Sequence, residues 1–257
     1  MARLKTVVYT FDSPATLALA SRLVDTGKVS AVILQRPMDT RSRLALVRRR
    51  LARLGLSRVI NELLFQTYYR LLLRSGDDRE RRRLQLDTIT RETLATRVQL
   101  FDVDSINSLD SQTLLRRLAP DLVVMSSREM IRPEALKLAT IGFVGCHPGI
   151  LPDFRGAYAS FWAMHEGRPD KIGLSVYLAS AGIDTGPLVT ERVIAPAFDV
   201  RHFKVESERL IVEGARDLID VIDQAERGTL RTYTKPDQPG PVYSLVGLTD
   251  YLRAARS

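Results

Sequence analysis

One cysteine, three histidines and one tryptophan are all that 257 residues contain of those types, and each scarcity excludes something. A lone thiol, Cys146, cannot close an internal disulfide, so no disulfide framework holds this chain. His165 and His202 lack any spaced partner that suggests a metal, and three His with one Cys make a zinc site unexpected, so no metal is assigned. No apolar run approaches the roughly 20 residues that span a bilayer. No GxGxxG fingerprint follows the first strand, which leaves a dinucleotide site unsupported. Internal repeats and low-complexity segments are missing. Arg3 and Lys5 lead directly into a strand-like run without the layout of a secretory signal, and cytoplasmic residence is the expectation.

What is present is an ordinary globular composition with an uneven charge. The hydrophobic fraction is 45% and the formal net charge +8. This length supports one large core. Arginines crowd the stretch from Arg41 to Arg97, including Arg48-Arg49-Arg50 and Arg81-Arg82-Arg83, while the region around Gly145 to Gly186 is close to balanced. Such a face can attract an anionic partner (a nucleotide-linked sugar, a carrier protein, nucleic acid or an acidic membrane surface), or it is simply a solvated pair of helices. Aromatic residues are not interleaved with the arginines as a single-strand binder requires.

Along the chain, Thr6 to Phe11 reads as a buried strand, Ser13-Pro14 starts a helix that closes at Gly27, and Val29 to Leu34 is a second strand. Strand, helix, strand with short links predicts a parallel βαβ unit and an α/β fold. From Thr40 to Arg97 the apolar period becomes helical: Leu44, Val47, Leu51 and Leu54, then Val59, Ile60, Leu63, Leu64, Leu71 and Leu72, with Gly55 between. This is a helical hairpin inserted at about 40–97, expected to pack on the sheet, with a dimer contact or lid as the lesser reading. Arg74 to Asp78 reads as a mobile surface link. The doubly wound pattern then resumes, with strands at Val98–Val103, Asp121–Met125 and Gly142–Cys146, and helices capped at Asp110 or Ser111 and starting at Pro133. A helix follows Gly156, strands run from Lys171 to Leu178 and from Leu188 to Ile194, and one long amphipathic helix occupies Asp199 to Arg227. The proline-rich tail from Thr229 should lack regular structure before a short helix at Thr249–Ala255. The domain organisation expected is a catalytic domain over 1–205 and a C-terminal helix and tail, 206–257, packed on it.

Two motifs carry chemistry. The first is Gly145-Cys146-His147-Pro148-Gly149-Ile150-Leu151-Pro152-Asp153-Phe154-Arg155-Gly156, and the second is Gly182-Ile183-Asp184-Thr185-Gly186. An imidazole on a proline- and glycine-fixed loop, with a carboxylate available to orient it, is arranged like a general base with its partner. By strand alternation Gly145 and His147 face one way and Cys146 the other, which makes Cys146 a packed small hydrophobe. Ligands of an open α/β sheet sit beyond the carboxyl ends of its strands, where Ser126, Ser127 and Arg128 also lie.

These motifs resemble the folate-dependent formyltransferases, the family of glycinamide ribonucleotide, methionyl-tRNA and sugar-amine formyltransferases. Their signature runs Asn-x-His-Pro-(Ser or Gly)-x-Leu-Pro-x-(Tyr or Phe)-Arg-Gly and then Asp-Thr-Gly. The likeness is closest from about Ala119 to Val189. It implies a Rossmann-like, mostly parallel sheet flanked by helices, and transfer of a formyl group from 10-formyltetrahydrofolate to a primary amine. It also implies His147 and Asp184 as catalytic residues. Met125, Ser126, Ser127, Arg128, Met130, Ile131 and Gly182 would border the folate, and Gly145, Pro148, Gly149, Arg155 and Gly156 the acceptor. One departure stands out: the family's catalytic Asn, an oxyanion donor, is Gly145 here. Losing one such donor costs about 100- to 1,000-fold in rate. Ser126, Ser127, a water in the glycine gap or a substrate group are the candidates to replace it.

Three readings follow. The first is an N-formyltransferase for a small amine, such as an amino sugar on a nucleotide carrier or a secondary-metabolite amine. The second is an enzyme using His147 and Asp184 for non-folate chemistry. The third is a non-catalytic relative that binds an anionic partner through the arginine-rich hairpin. Too few residues follow the signature region for the tRNA-binding domain of methionyl-tRNA formyltransferases, so tRNA is not the expected acceptor, and a homodimer stays open.

Overall fold

The computed structural model describes residues 4–194, 198–236 and 239–256. It opens with the parallel unit β1 (Thr6–Phe11), α1 (Pro14–Val24) and β2 (Val29–Gln35). Pro14 takes the first helical position, where its missing N–H costs nothing. Ser13 stands at the N-cap without a capping bond, because its hydroxyl pairs with Thr16 Oγ1 at 2.9 Å.

The inserted stretch forms α2 (Thr40–Leu54), α3 (Leu56–Tyr68), a π-helical turn at Tyr69–Leu73, α4 (Arg74–Arg83) and the short α5 (Arg91–Ala95). Gly55 breaks α2 from α3 with a φ of +80°. Two expectations fail here. The hairpin does not pack on the sheet: Phe65 of α3 is buried in an aromatic cluster with Phe161, Phe203 and Tyr251. Arg74 to Asp78 is not a mobile link but the first turn of α4. It is fixed because Asp77 is 1% exposed and accepts a hydrogen bond from His202 Nδ1 at 2.7 Å, while Arg81 is paired with Glu208 at 2.6 Å.

The sheet continues through β3 (Gln99–Val103), α6 (Leu109–Leu118), β4 (Leu122–Met125), α7 (Pro133–Leu136) and β5 (Gly142–His147). Helix α6 starts earlier than expected, capped by Ser108, whose Oγ accepts from Ser111 N–H at 3.2 Å. After β6 (Arg155–Gly156) and α8 (Ala159–His165) come β7 (Gly173–Leu178) and β8 (Leu188–Val193). Strand order is β3-β2-β1-β4-β5-β7-β8, the first five mutually parallel and the last two antiparallel additions. The order reverses between β1 and β4, which is where such sheets open a ligand crevice.

The expected single helix over 199–227 is two, α9 (Phe203–Glu213) and α10 (Ala215–Glu226). Gly214 separates them at the point where Cys146 Sγ presses in: a Cβ there would lie 2.4 Å from the sulfur. The tail is also more ordered than its prolines suggest. It supplies β9 (Val242–Tyr243), which pairs in parallel with β6, and α11 (Leu248–Ala254). Leu23, Val32, Val124, Leu218 and Ile222 fill one face of the sheet, and Ile33, Val123, Phe143 and Leu115 the other. Each such fully buried aliphatic or aromatic side chain contributes about 1.5–3 kcal/mol. These two layers fix the strand ends that present the signature residues.

Candidate active site at the carboxyl rim of the sheet

Strand β5 ends at His147, and its alternation sorts the last three side chains. Cys146 joins the layer under α10, where burial pushes its thiol up to about 12 and leaves it protonated at neutral pH. Gly145 and His147 face the other layer. The His147 ring is 6% exposed. Its Nε2 lies 2.8 Å from the carbonyl oxygen of Phe154, and a carbonyl can only accept, so Nε2 carries the proton and Nδ1 is the basic nitrogen. Nδ1 lies 3.6 Å from Asp184 Oδ2. The two motifs therefore meet, as expected of a base with an orienting carboxylate.

Asp184 is held from both sides. Its Oδ2 accepts the Gly156 N–H at 2.9 Å and its Oδ1 accepts the Tyr177 hydroxyl at 2.7 Å. Its backbone sits in the left-handed region at φ +51°, which costs an L-residue about 1 kcal/mol and is tolerated best by Asn and Asp. Gly156 has φ +90°, and a Cβ on it would lie 2.5 Å from the Tyr243 carbonyl. Only glycine lets β6 approach β9 and present its N–H to the carboxylate. Ser175, fully buried on β7, pins the signature loop: its hydroxyl donates to Gly149 O at 2.9 Å and accepts from Leu151 N–H at 3.0 Å. Pro148 O accepts from Ser160 of α8 at 3.0 Å, and the Gly149 backbone lies close to the His147 ring.

A side chain at position 145 would meet close neighbours. Gly145 stands between Met125 on parallel β4 and Tyr177 on antiparallel β7. A Cβ on Gly145 would lie 3.0 Å from Met125 Cε and 3.1 Å from Tyr177 Cε1. The two side chains crowd the position a residue-145 Cβ would take, so Met125 Cε or the Tyr177 ring would have to give by a few tenths of an ångström to admit one. Ser127 does not offer itself as a replacement donor, since its hydroxyl donates to Glu129 O at 2.9 Å. Tyr177 is the group next to the site that the sequence reading missed. Burial and the neighbouring Asp184 carboxylate hold its phenol well above the usual range, so it stays a proton donor. Its only sequence signal was the period-two alternation that places Ser175 and Tyr177 on one face of β7.

Arg155 is committed to the scaffold. Its Nε and Nη2 donate to Gly240 O at 3.0 and 2.6 Å, and its Nη1 to Ile183 O at 3.4 Å. The tail thus clamps both motifs, and Lys235 Nζ adds a bond to Leu151 O at 2.8 Å. On the β4 side, Met125 and Ile131 are buried, Arg128 lies over the Phe11 ring at 3.7 Å, and Ser126 N–H donates to Tyr9 O at 2.9 Å. Glu129 is tied down by Tyr9, Ser105 and Ile106 at 2.5–2.7 Å. Met130 is 58% exposed and Ile183, next to Gly182, 38%. An apolar side chain is thus offered on each of the two loops expected to border the donor. A cavity of about 90 Å³ lies beside Asp184, lined also by Thr185, Tyr233, Thr234 and Lys235. That is room for about three waters and well short of the several hundred Å³ of a pocket enclosing a drug-sized ligand. A larger hollow of about 300 Å³ between β3 and α6 contains none of the signature residues. Among the described residues no group of three or more His, Cys, Asp or Glu could hold a metal ion.

A Rossmann-like sheet with a buried His–Asp pair at its carboxyl rim is the class this architecture defines. Residues 76–200, a little under half of the chain, match the formyl transferase family model. A methionyl-tRNA formyltransferase of Acidithiobacillus ferrooxidans is 33% identical over 149 residues, covering 57% of this chain and 47% of the relative. The chain therefore spans about half the length of the curated relatives it matches. Among solved structures, a sugar N-formyltransferase from a Shewanella species is similar in fold with a TM-score of 0.60, 12% identity and coverage of 97% of this chain and 87% of that one. An N-formyltransferase from Helicobacter canadensis, solved with folinic acid and dTDP-3-aminofucose, gives a TM-score of 0.58 at 10% identity, covering 98% and 80%.

Proposed function

We propose that this protein is an N-formyltransferase that moves a formyl group from 10-formyltetrahydrofolate to a primary amine of a small molecule such as an amino sugar. The observation that carries the reading is the meeting of the two motifs at one rim, with Nδ1 of His147 3.6 Å from Asp184. The binding of folinic acid and an amino sugar by the Helicobacter canadensis protein supports the donor and acceptor classes. The methionyl-tRNA formyltransferases among the relatives make aminoacyl-tRNA the competing acceptor.

A reduced folate supplies the activated formyl carbon. This chain's residues handle the proton. With Nε2 fixed by the Phe154 carbonyl, Nδ1 of His147 is the nitrogen free to take the proton that the attacking amine loses. The imidazolium so formed faces Asp184, which neutralises it, while Tyr177 and Gly156 hold the carboxylate in place. The positive charge of that imidazolium is what the pair would offer a developing oxyanion in a site without the Asn.

Incubation with 10-formyltetrahydrofolate and candidate amines, with release of tetrahydrofolate as the readout, tests this. Turnover should appear with an amino sugar or related amine and fall by about 100-fold or more in His147→Ala. Turnover unchanged by His147→Ala sinks the assignment, and turnover only with methionyl-tRNA moves the acceptor to tRNA. A second reading, non-folate chemistry at the same pair, is favoured by Gly145 itself, which carries no donor side chain and stands closely packed between Met125 and Tyr177.

A further inference from the structure

The segment Thr40–Arg74, which forms α2, α3, the π turn and the first residue of α4, carries nine arginines (Arg41, Arg43, Arg48, Arg49, Arg50, Arg53, Arg58, Arg70 and Arg74) and one carboxylate, Glu62. Its net charge equals the +8 of the entire chain, so the rest of the molecule is neutral overall. Glu62 is buried and spent internally, with Arg50 at 2.5 Å and Arg58 at 3.4 Å. Arg48, Arg49, Arg53 and Arg70 are exposed and have no carboxylate partner among the described residues.

The same segment is apolar on its outside. Of the fifteen large hydrophobics exposed among the described residues, nine lie here: Leu44, Leu46, Val47, Leu56, Ile60, Leu63, Leu64, Leu71 and Leu72. Helix α3 has two apolar faces. Val59 and Phe65 turn inward, while Leu56, Ile60, Leu63 and Leu64, at one helical stripe, turn outward at 46–66% exposure. Contiguous apolar surface of this kind on a folded chain marks an interaction site.

We infer that this hairpin seats the protein on an anionic lipid surface, the arginines engaging headgroup phosphates and the leucines entering the acyl boundary. The charge and the side-chain types select this occupant. A second copy of the same face would oppose one +8 segment to another. Nucleic acid would answer the arginines but not the aliphatic stripe, and every one of the nine exposed apolar residues is aliphatic, with no ring for base stacking. An interfacial amphipathic element needs cationic and long aliphatic side chains side by side, as they are here. None of the described helices is long and apolar enough to cross a membrane, so the association is peripheral. This inference does not depend on the formyl-transfer reading.

The test is co-sedimentation of the full chain with vesicles of phosphatidylcholine alone or mixed with phosphatidylglycerol. Binding should require phosphatidylglycerol and weaken as salt rises. Replacing Arg48, Arg49 and Arg53 together by Gln should lower partitioning by about 100-fold, at about fivefold for each arginine. Leu63→Ser with Leu64→Ser should lower it at least tenfold, with unchanged circular dichroism showing that the fold is kept. No sedimentation of the folded wild type with anionic vesicles overturns the inference. Binding that the leucine substitutions leave unchanged also overturns it, since the arginines would then be acting as a plain polycation. A dimer seen by sedimentation equilibrium and dissociated by the leucine substitutions, without vesicle binding, reassigns the face to a second copy.

Discussion

At the scale of single residues, Gly145 and Tyr177 are one feature. Opposed across the β5–β7 ladder, they divide a volume that a larger residue at 145 would have to contest. Gly145→Asn, the substitution that restores the family residue, should therefore destabilise the protein by about 1–3 kcal/mol through overpacking. That corresponds to a melting temperature lower by about 2–4 °C per kcal/mol, measured by thermal denaturation. Equal or greater stability would show that Met125 and Tyr177 yield freely. Tyr177→Phe keeps the ring and removes only the hydroxyl that Asp184 accepts. Stability should change by about 1 kcal/mol. On the proposed reaction kcat should drop about tenfold with KM for the folate unchanged, because Tyr177 positions Asp184 and does not hold the donor. A rise in KM with kcat intact would place Tyr177 in donor binding instead.

At the scale of elements, what the chain made legible was what is local. Pro14 at a helix start, the βαβ opening, and the Gly- and Pro-fixed loop after β5 all follow from residues a few positions apart. So does the sorting of Cys146 away from His147, which needs only the pleat. The errors share a different cause. Asp77 reads as part of a solvated charge run until His202, far along the chain, supplies a buried partner. Pro239 and Pro241 read as excluding regular structure until Arg155 reaches Gly240 and Tyr243 stacks on Phe154 and Trp162 at 5.5 and 5.2 Å. The amphipathic run from 199 to 227 reads as one helix until the sulfur of Cys146 meets Gly214. That last contact makes a prediction about coupled elements. Gly214→Ala should destabilise by about 1–3 kcal/mol, and Cys146→Ala in the same chain should recover most of the loss, as measured by urea denaturation of all four combinations. Additive losses would show that the α9–α10 junction is independent of β5.

At the scale of the molecule, the four parts of the fold have separate tasks. The sheet and its two apolar faces place β1, β4 and β5 so that their carboxyl ends share one rim. The antiparallel pair β7 and β8 brings Tyr177, Ser175 and the Asp184 loop to that rim from the opposite direction. The tail locks the two motif loops together through Gly240 and β9, and the arginine-rich hairpin stands outside all of this, joined through Phe65 and Arg58, the latter paired with Asp250 at 2.6 Å. The His–Asp pair was readable from the signature, but the strand direction that opposes Tyr177 to Gly145 was not, because no local pattern encodes whether an added edge strand runs parallel or antiparallel. The central claim is that this rim binds a reduced folate despite the lost Asn. Calorimetric titration of the full chain with 5-formyltetrahydrofolate tests it most directly. Saturable binding at one site per chain, weakened by Asp184→Ala, is the predicted result. A folded protein that takes up no folate would contradict the account and leave His147 and Asp184 to other chemistry.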